Sequence, residues 1–103
     1  MPNDRAELWF SALQAELLEE RAHALGRTGR RIDEQLDRCR ALAARLDQTR
    51  RDGSPTSAEL LDDYRAARAE FERSRWKLCV QREALGLHDH RWVDRIYPTP
   101  PSR

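Results

Sequence analysis

The residues best suited to bind a ligand are arginines that recur every seven positions in the first half of the chain. Arg31, Arg38 and Arg45 share one face of any helix that contains them, and Arg27 lies one turn before Arg31. A row of guanidinium groups can follow a phosphate backbone or hold an anionic substrate. This basic stripe predicts two alternative functions, a nucleic-acid-binding helix and a small helical enzyme with an arginine-lined anion site.

The charge distribution favours a structural role for the basic stripe. Residues 4–25 carry two arginines against five carboxylates, a net charge of −3, whereas residues 26–53 carry eight arginines against five carboxylates, a net charge of +3. The whole chain has a net charge of only +1, so it has no strong field to attract nucleic acid or an anionic membrane. We therefore predict salt bridges between the two segments, with nucleic-acid binding as the alternative.

Motifs of catalysis and metal binding are missing from the sequence. It has no glycine-rich phosphate loop and no nucleophile elbow, and His23, His88 and His90 do not have the spacing of metal ligands. Cys39 and Cys79 lie far apart without a C-x-x-C motif, which predicts reduced thiols. We predict a protein without catalytic residues, cofactor or metal site.

Apolar residues outside the predicted core are the strongest indication of a protein partner. In a helix, Trp76 and Val80 point away from the side that carries Leu60, Phe71 and Leu78. Large aromatic residues on such a surface favour either self-association or docking of another protein. The sequence therefore predicts an interaction module, with a homodimer as one form.

The segment that follows completes this predicted surface. Residues 89–97 form an amphipathic pattern that Asp89 begins and Pro98 ends, typical of a short helix. Either this tail folds back over Trp76 in its own chain, or both surfaces meet another chain. The predicted interaction surface comprises Trp76, Val80, Leu87, Trp92, Val93, Ile96 and Tyr97.

Capping signals divide the rest of the chain into three helices. Gly26 is suited to the left-handed position after a helix, and Thr28 to the cap of the next one. Thr56 and Glu59 have the spacing of a capping box after the turn around Pro55. The predicted helices span about 4–25, 29–51 and 57–85.

Apolar spacing predicts how these helices pack. Each carries apolar residues at alternating intervals of three and four, typical of coiled coils. If the chain reverses direction at each short turn, each of the three helices contributes one residue to each layer of a common core. One such layer contains Phe10, Leu46 and Tyr64. The prediction is an all-α, antiparallel, up-down-up three-helix bundle over residues 1–87, followed by a short helical and proline-rich tail over residues 88–103.

The sequence also indicates where the protein acts. No apolar run is long enough to span a membrane, and the N-terminal residues lack the basic-then-apolar pattern of a signal peptide. All but one of the 19 basic residues are arginine, a bias typical of GC-rich bacterial genomes. We therefore expect a cytoplasmic bacterial protein.

Overall fold

The computed structural model describes residues 4–103, and within this range every regular element is a helix. The elements are α1 (Asp4–Arg51), α2 (Ala58–Glu83) and α3 (Arg91–Ile96). The prediction of an all-α protein is confirmed. Two of the helices are long, and the third has only six residues.

Helix α1 is one continuous helix of 48 residues, so the predicted break between residues 25 and 29 is wrong. Gly26 does not adopt the left-handed conformation, and Thr28 is buried within the helix instead of capping one. A glycine inside a helix costs only about 1 kcal/mol relative to alanine, so it weakens a helix without ending it. Burial of Thr28 and Ile32 against the rest of the fold supplies packing that offsets this cost.

Helix α1 ends, and α2 begins, close to the positions that the sequence predicts. Gly53 has a φ of 70°, and the Ser54 N–H donates to the Thr49 carbonyl at 3.1 Å. This is the Schellman arrangement, in which a left-handed residue lets the backbone close the helix end. Ser57, not Thr56, caps α2, and its hydroxyl oxygen accepts from the Leu60 N–H at 3.2 Å.

The end of α2 confirms the predicted glycine cap. Gly86 has a φ of 83°, and the Leu87 N–H donates to the Arg82 carbonyl at 3.0 Å. The chain then turns into α3, where a carboxylate oxygen of Asp89 accepts from the Arg91 N–H at 3.0 Å. The chain therefore folds back after α2 and brings the tail onto the other helices.

The core forms between the C-terminal half of α1, one face of α2 and α3. Its largest fully buried side chains are Tyr64, Phe71, Ile32, Val93 and Cys39. The predicted apolar rows of residues 29–51 and 57–85 therefore both contribute to the core. The predicted contribution of the apolar row in residues 4–25 is wrong, because the continuous helix α1 carries most of these residues away from the core.

The molecule is elongated because α1 extends beyond its packing partners. The chain measures 81 × 21 × 15 Å, with a radius of gyration of 20.5 Å. A compact domain of this length would have a radius of gyration of about 13 Å. We call residues 4–24 the arm and residues 25–103 the body; the arm alone is roughly 30 Å long at 1.5 Å per residue.

Candidate interaction surfaces

The C-terminal tail packs on α1 and α2 through α3. Val93 is fully buried in the core, and the Tyr97 hydroxyl oxygen lies 3.5 Å from the point that a β-carbon at Gly29 would occupy. Burial raises the pKa of the Tyr97 hydroxyl, and the nearby Asp33 carboxylate raises it further. The tail is therefore held in place by apolar packing as well as by polar contacts.

Three arginines spaced seven residues apart on α2 bind backbone carbonyls of the tail. The Nε–H of Arg68 donates to the Pro100 carbonyl at 2.8 Å, and that of Arg75 donates to the Tyr97 carbonyl at 3.0 Å. A terminal nitrogen of Arg82 donates to the Asp89 carbonyl at 2.9 Å. Sequence reasoning missed this row, although its heptad spacing matches that of the basic stripe on α1.

The last residues are fixed at the far end of the body. The Tyr64 hydroxyl donates to the Pro101 carbonyl, and the Arg103 guanidinium contacts the Asp47 carboxylate at 2.7 Å. The hydrogen bond from Arg103 lowers the pKa of Asp47. The proline-rich terminus thus lies along α1 and α2, close to Leu36.

Most of the predicted interaction surface is exposed, but one member is not part of any surface. Val93 is completely buried, because α3 turns this side chain into the core, and Tyr97 is partly buried. Trp76 is 69% exposed, so the tail does not cover it. We call the exposed members, Trp76, Val80, Leu87, Trp92 and Ile96, the Trp76 surface; its role in binding stays a prediction.

The arm carries apolar side chains that the sequence pattern assigns to the core. Phe10 is 60% exposed and Leu17 is 48% exposed, and Trp9 meets Phe10 edge to face with ring centroids 5.8 Å apart. Leu8 and Leu18 are exposed as well. The sequence pattern revealed an apolar helix face here but not its lack of cover within the chain.

A polar groove whose lining includes four basic residues runs between α1 and α2. One part, about 280 Å³ in volume, is lined by Arg31, Arg73 and Lys77 together with Glu70. The adjoining part is about 190 Å³ and adds Arg27. We call these two cavities the basic groove.

Two members of the predicted basic stripe, Arg27 and Arg31, line the basic groove, whereas Arg38 and Arg45 are exposed on α1 beyond its cavities. The predicted salt bridges between residues 4–25 and 26–53 are wrong, because both segments belong to one straight helix and cannot lie side by side. The groove also contains two polar atoms without partners: Oε1 of Gln35 and Oε1 of Gln81 are buried and lack a hydrogen bond within the described part of the chain.

Several titratable groups of the body form ion pairs. No group of three histidine, cysteine, aspartate or glutamate side chains with the arrangement of a metal site occurs within residues 4–103. His90 contacts Glu83 at 2.9 Å. Both cysteines are free thiols, as predicted, and burial raises the pKa of Cys39.

The arm, the Trp76 surface and the basic groove are the surfaces that could receive a partner. None of the helices described here is long and apolar enough to cross a membrane. Comparison with protein-family models, curated proteins and solved structures finds no match to this chain.

Proposed function

We propose that this protein is a non-catalytic helical module for protein interaction or assembly. In this proposal, the body is an antiparallel, coiled-coil-like pair of helices, and docking involves the arm and the Trp76 surface. The observation that carries the proposal is the arm: about twenty helical residues that leave the core and present five large apolar side chains to solvent. Such surfaces on water-soluble proteins mark interaction sites.

The magnitudes support association through these residues. Full burial of one leucine or phenylalanine side chain contributes roughly 1.5–3 kcal/mol, whereas association costs on the order of 4–15 kcal/mol in lost freedom of motion. The Trp76 surface alone, with five exposed side chains, is marginal on this scale. A partner that covered the arm as well would bury enough apolar surface to bind stably.

Site-specific photo-crosslinking tests the proposal and captures a partner of any identity. A photoreactive phenylalanine derivative replaces Phe10 in one variant and Trp76 in another, and the matched control carries it at Glu19, an exposed position on the arm. Irradiation of cells that express these variants should give discrete covalent adducts at position 10 or 76 above the level of the control. The proposal is wrong if neither position gives such an adduct.

The basic groove supports a second candidate, the binding of an anionic ligand. Arg27, Arg31, Arg73 and Lys77 place four cationic groups around one acidic residue, Glu70. Such a site suits the phosphates of a nucleic acid or the charged groups of a small substrate.

The two anionic ligands give different results in solution. Nucleic-acid binding predicts affinity that falls steeply with added salt and disappears in an Arg31→Glu variant. A small anionic substrate should raise the thermal midpoint of the wild-type protein in a saturable manner. Absence of both effects excludes this second candidate.

A further inference from the structure

We propose that the arm of each chain docks along the basic groove of a second copy, so that two chains form a symmetric dimer by exchanging arms. The proposal rests on the proposed function, because it names the partner of the same interaction module. The arm belongs to the same continuous helix as Arg31, so it extends beyond the groove of its own chain, and only its last residue, Ala24, lines the end of that groove. The rest of the arm can therefore reach such a groove only on another molecule.

Charge complementarity selects the groove as the surface that receives the arm. Five carboxylates against two arginines give the arm a net charge of −3. The basic groove has four cationic side chains, Arg27, Arg31, Arg73 and Lys77, against the one carboxylate of Glu70. Two arms packed on each other would bring like charges together, whereas an arm on the groove pairs opposite charges.

The helix face that carries the apolar residues of the arm continues into the groove side of the body. Residues of the arm on this face follow one another at intervals of four and three: Ala6, Phe10, Leu13, Leu17, Glu20 and Ala24. At 100° per residue, the residues of the body on about the same side of α1 are Arg31, Gln35, Arg38, Leu42, Arg45 and Thr49, and of these Arg31 and Gln35 line the basic groove. A two-fold axis perpendicular to two antiparallel helices requires that both halves of each helix use the same face, and α1 meets this requirement.

This row has the same spacing when it is read from either end. With the two-fold axis near Thr28, Leu17 faces Arg38 of the second copy, and Ala24 faces Arg31 of the second copy. The arm from residue 6 to residue 24 and the body from residue 31 to residue 49 each span about 27 Å, so their lengths match.

Side-chain chemistry suits this register. The aliphatic part of an arginine can cover an apolar residue while its charged end reaches a carboxylate. Arg38 of the second copy can thus cover Leu17 and pair with Glu20, which lies one turn further along the same face of the arm. The docked arm supplies a third long helix beside α1 and α2 of the other chain.

Cysteine crosslinking at matched positions tests the register. The variant that combines Leu17→Cys with Arg38→Cys should form a disulfide-linked dimer on mild oxidation. Within one chain these positions are about 32 Å apart along α1, so the bond can form only between chains. The matched control combines Leu18→Cys with Arg38→Cys; Leu18 is also exposed but lies on another face of the arm, so the control should crosslink far more slowly.

Light scattering of the complete chain after size-exclusion chromatography gives the second readout. The wild-type chain should have the mass of a dimer, and Leu17→Glu should weaken the dimer by about 30-fold or more, whereas Leu18→Glu should have little effect. A monomeric wild type, or equal crosslinking of the two cysteine variants, overturns the exchange of arms. If the wild type is monomeric but photo-adducts with a different protein form at position 10, the exchange fails and the proposed function stands.

Discussion

The substitution of alanine for Gly26 tests whether α1 is continuous in solution. The structure gives Gly26 ordinary helical backbone, and a β-carbon built at this position lies no closer than 3.6 Å to another side chain, the guanidinium of Arg30. Alanine therefore fits without a clash. A helix-interior glycine is about 0.5–1 kcal/mol less favourable than alanine, so Gly26→Ala should stabilise the protein by that amount.

A chain that broke at this position would respond in the opposite direction. In a helical hairpin with Gly26 at the left-handed cap, alanine would cost about 1–2 kcal/mol because its β-carbon approaches the following carbonyl. The two structures thus differ by about 2 kcal/mol in the predicted effect, and they differ in sign. Because 1 kcal/mol corresponds to about 4–8 °C in a domain of this size, thermal unfolding resolves the difference.

The chain provides a matched control for this measurement. Gly53 and Gly86 have φ values of 70° and 83°, and a β-carbon at either position meets no atom within 4 Å. Alanine at these sites should therefore destabilise the protein through backbone strain alone, by about 1 kcal/mol. Circular dichroism at one fixed protein concentration follows all three variants. The continuous helix is refuted if Gly26→Ala lowers the midpoint as the two controls do.

Three further substitutions test the packing of the body and tail. Phe71→Ala should lower the free energy of unfolding by about 3–5 kcal/mol in denaturant titrations, because Phe71 is a fully buried core residue. Tyr64→Phe should cost about 1 kcal/mol in the same assay, since it removes the donor to the Pro101 carbonyl. Folding raises the pKa of Tyr97 above its usual value near 10, so the stability that this hydroxyl contributes is present below pH 10 and is lost as the pH rises through the raised pKa. Melting curves from pH 9 upwards should show this loss in the wild type and a smaller loss in Tyr97→Phe, in which no hydroxyl faces Asp33.

The sequence predicted helix ends wherever one local signal admitted only one structure. Gly53 is followed by Pro55, and Gly86 ends a long amphipathic pattern, so a left-handed residue at each position was the simplest interpretation. Gly26 carried the same signal but lies between segments that are both rich in helix-forming residues. Local chemistry permits a cap or a continuous helix there, and burial of Thr28 favours the continuous helix.

The attachment of the tail was harder to predict from the sequence. Arg68, Arg75 and Arg82 bind carbonyl groups of the tail backbone, and every residue offers the same carbonyl group. A pattern of side chains therefore cannot show where such arginines bind. Val93 presents a related difficulty, because its place in the core depends on the direction from which α3 approaches α2.

The apolar spacing of the arm is compatible with two arrangements, one in which the arm folds back on its own chain and one in which it is exchanged between copies. In both structures Phe10, Leu13 and Leu17 face residues of the second half of α1 from the opposite direction, so the spacing of the arm residues does not distinguish them. The conformation of residues 26–29 decides between them. A turn there permits contact within one chain, whereas the straight helix moves the arm away from its own body. The two glycines in this short segment make the turn accessible at low cost, so Gly26→Ala should favour the exchanged dimer as well as the helix. A shift towards monomer in this variant would contradict the coupling between a straight α1 and dimer formation.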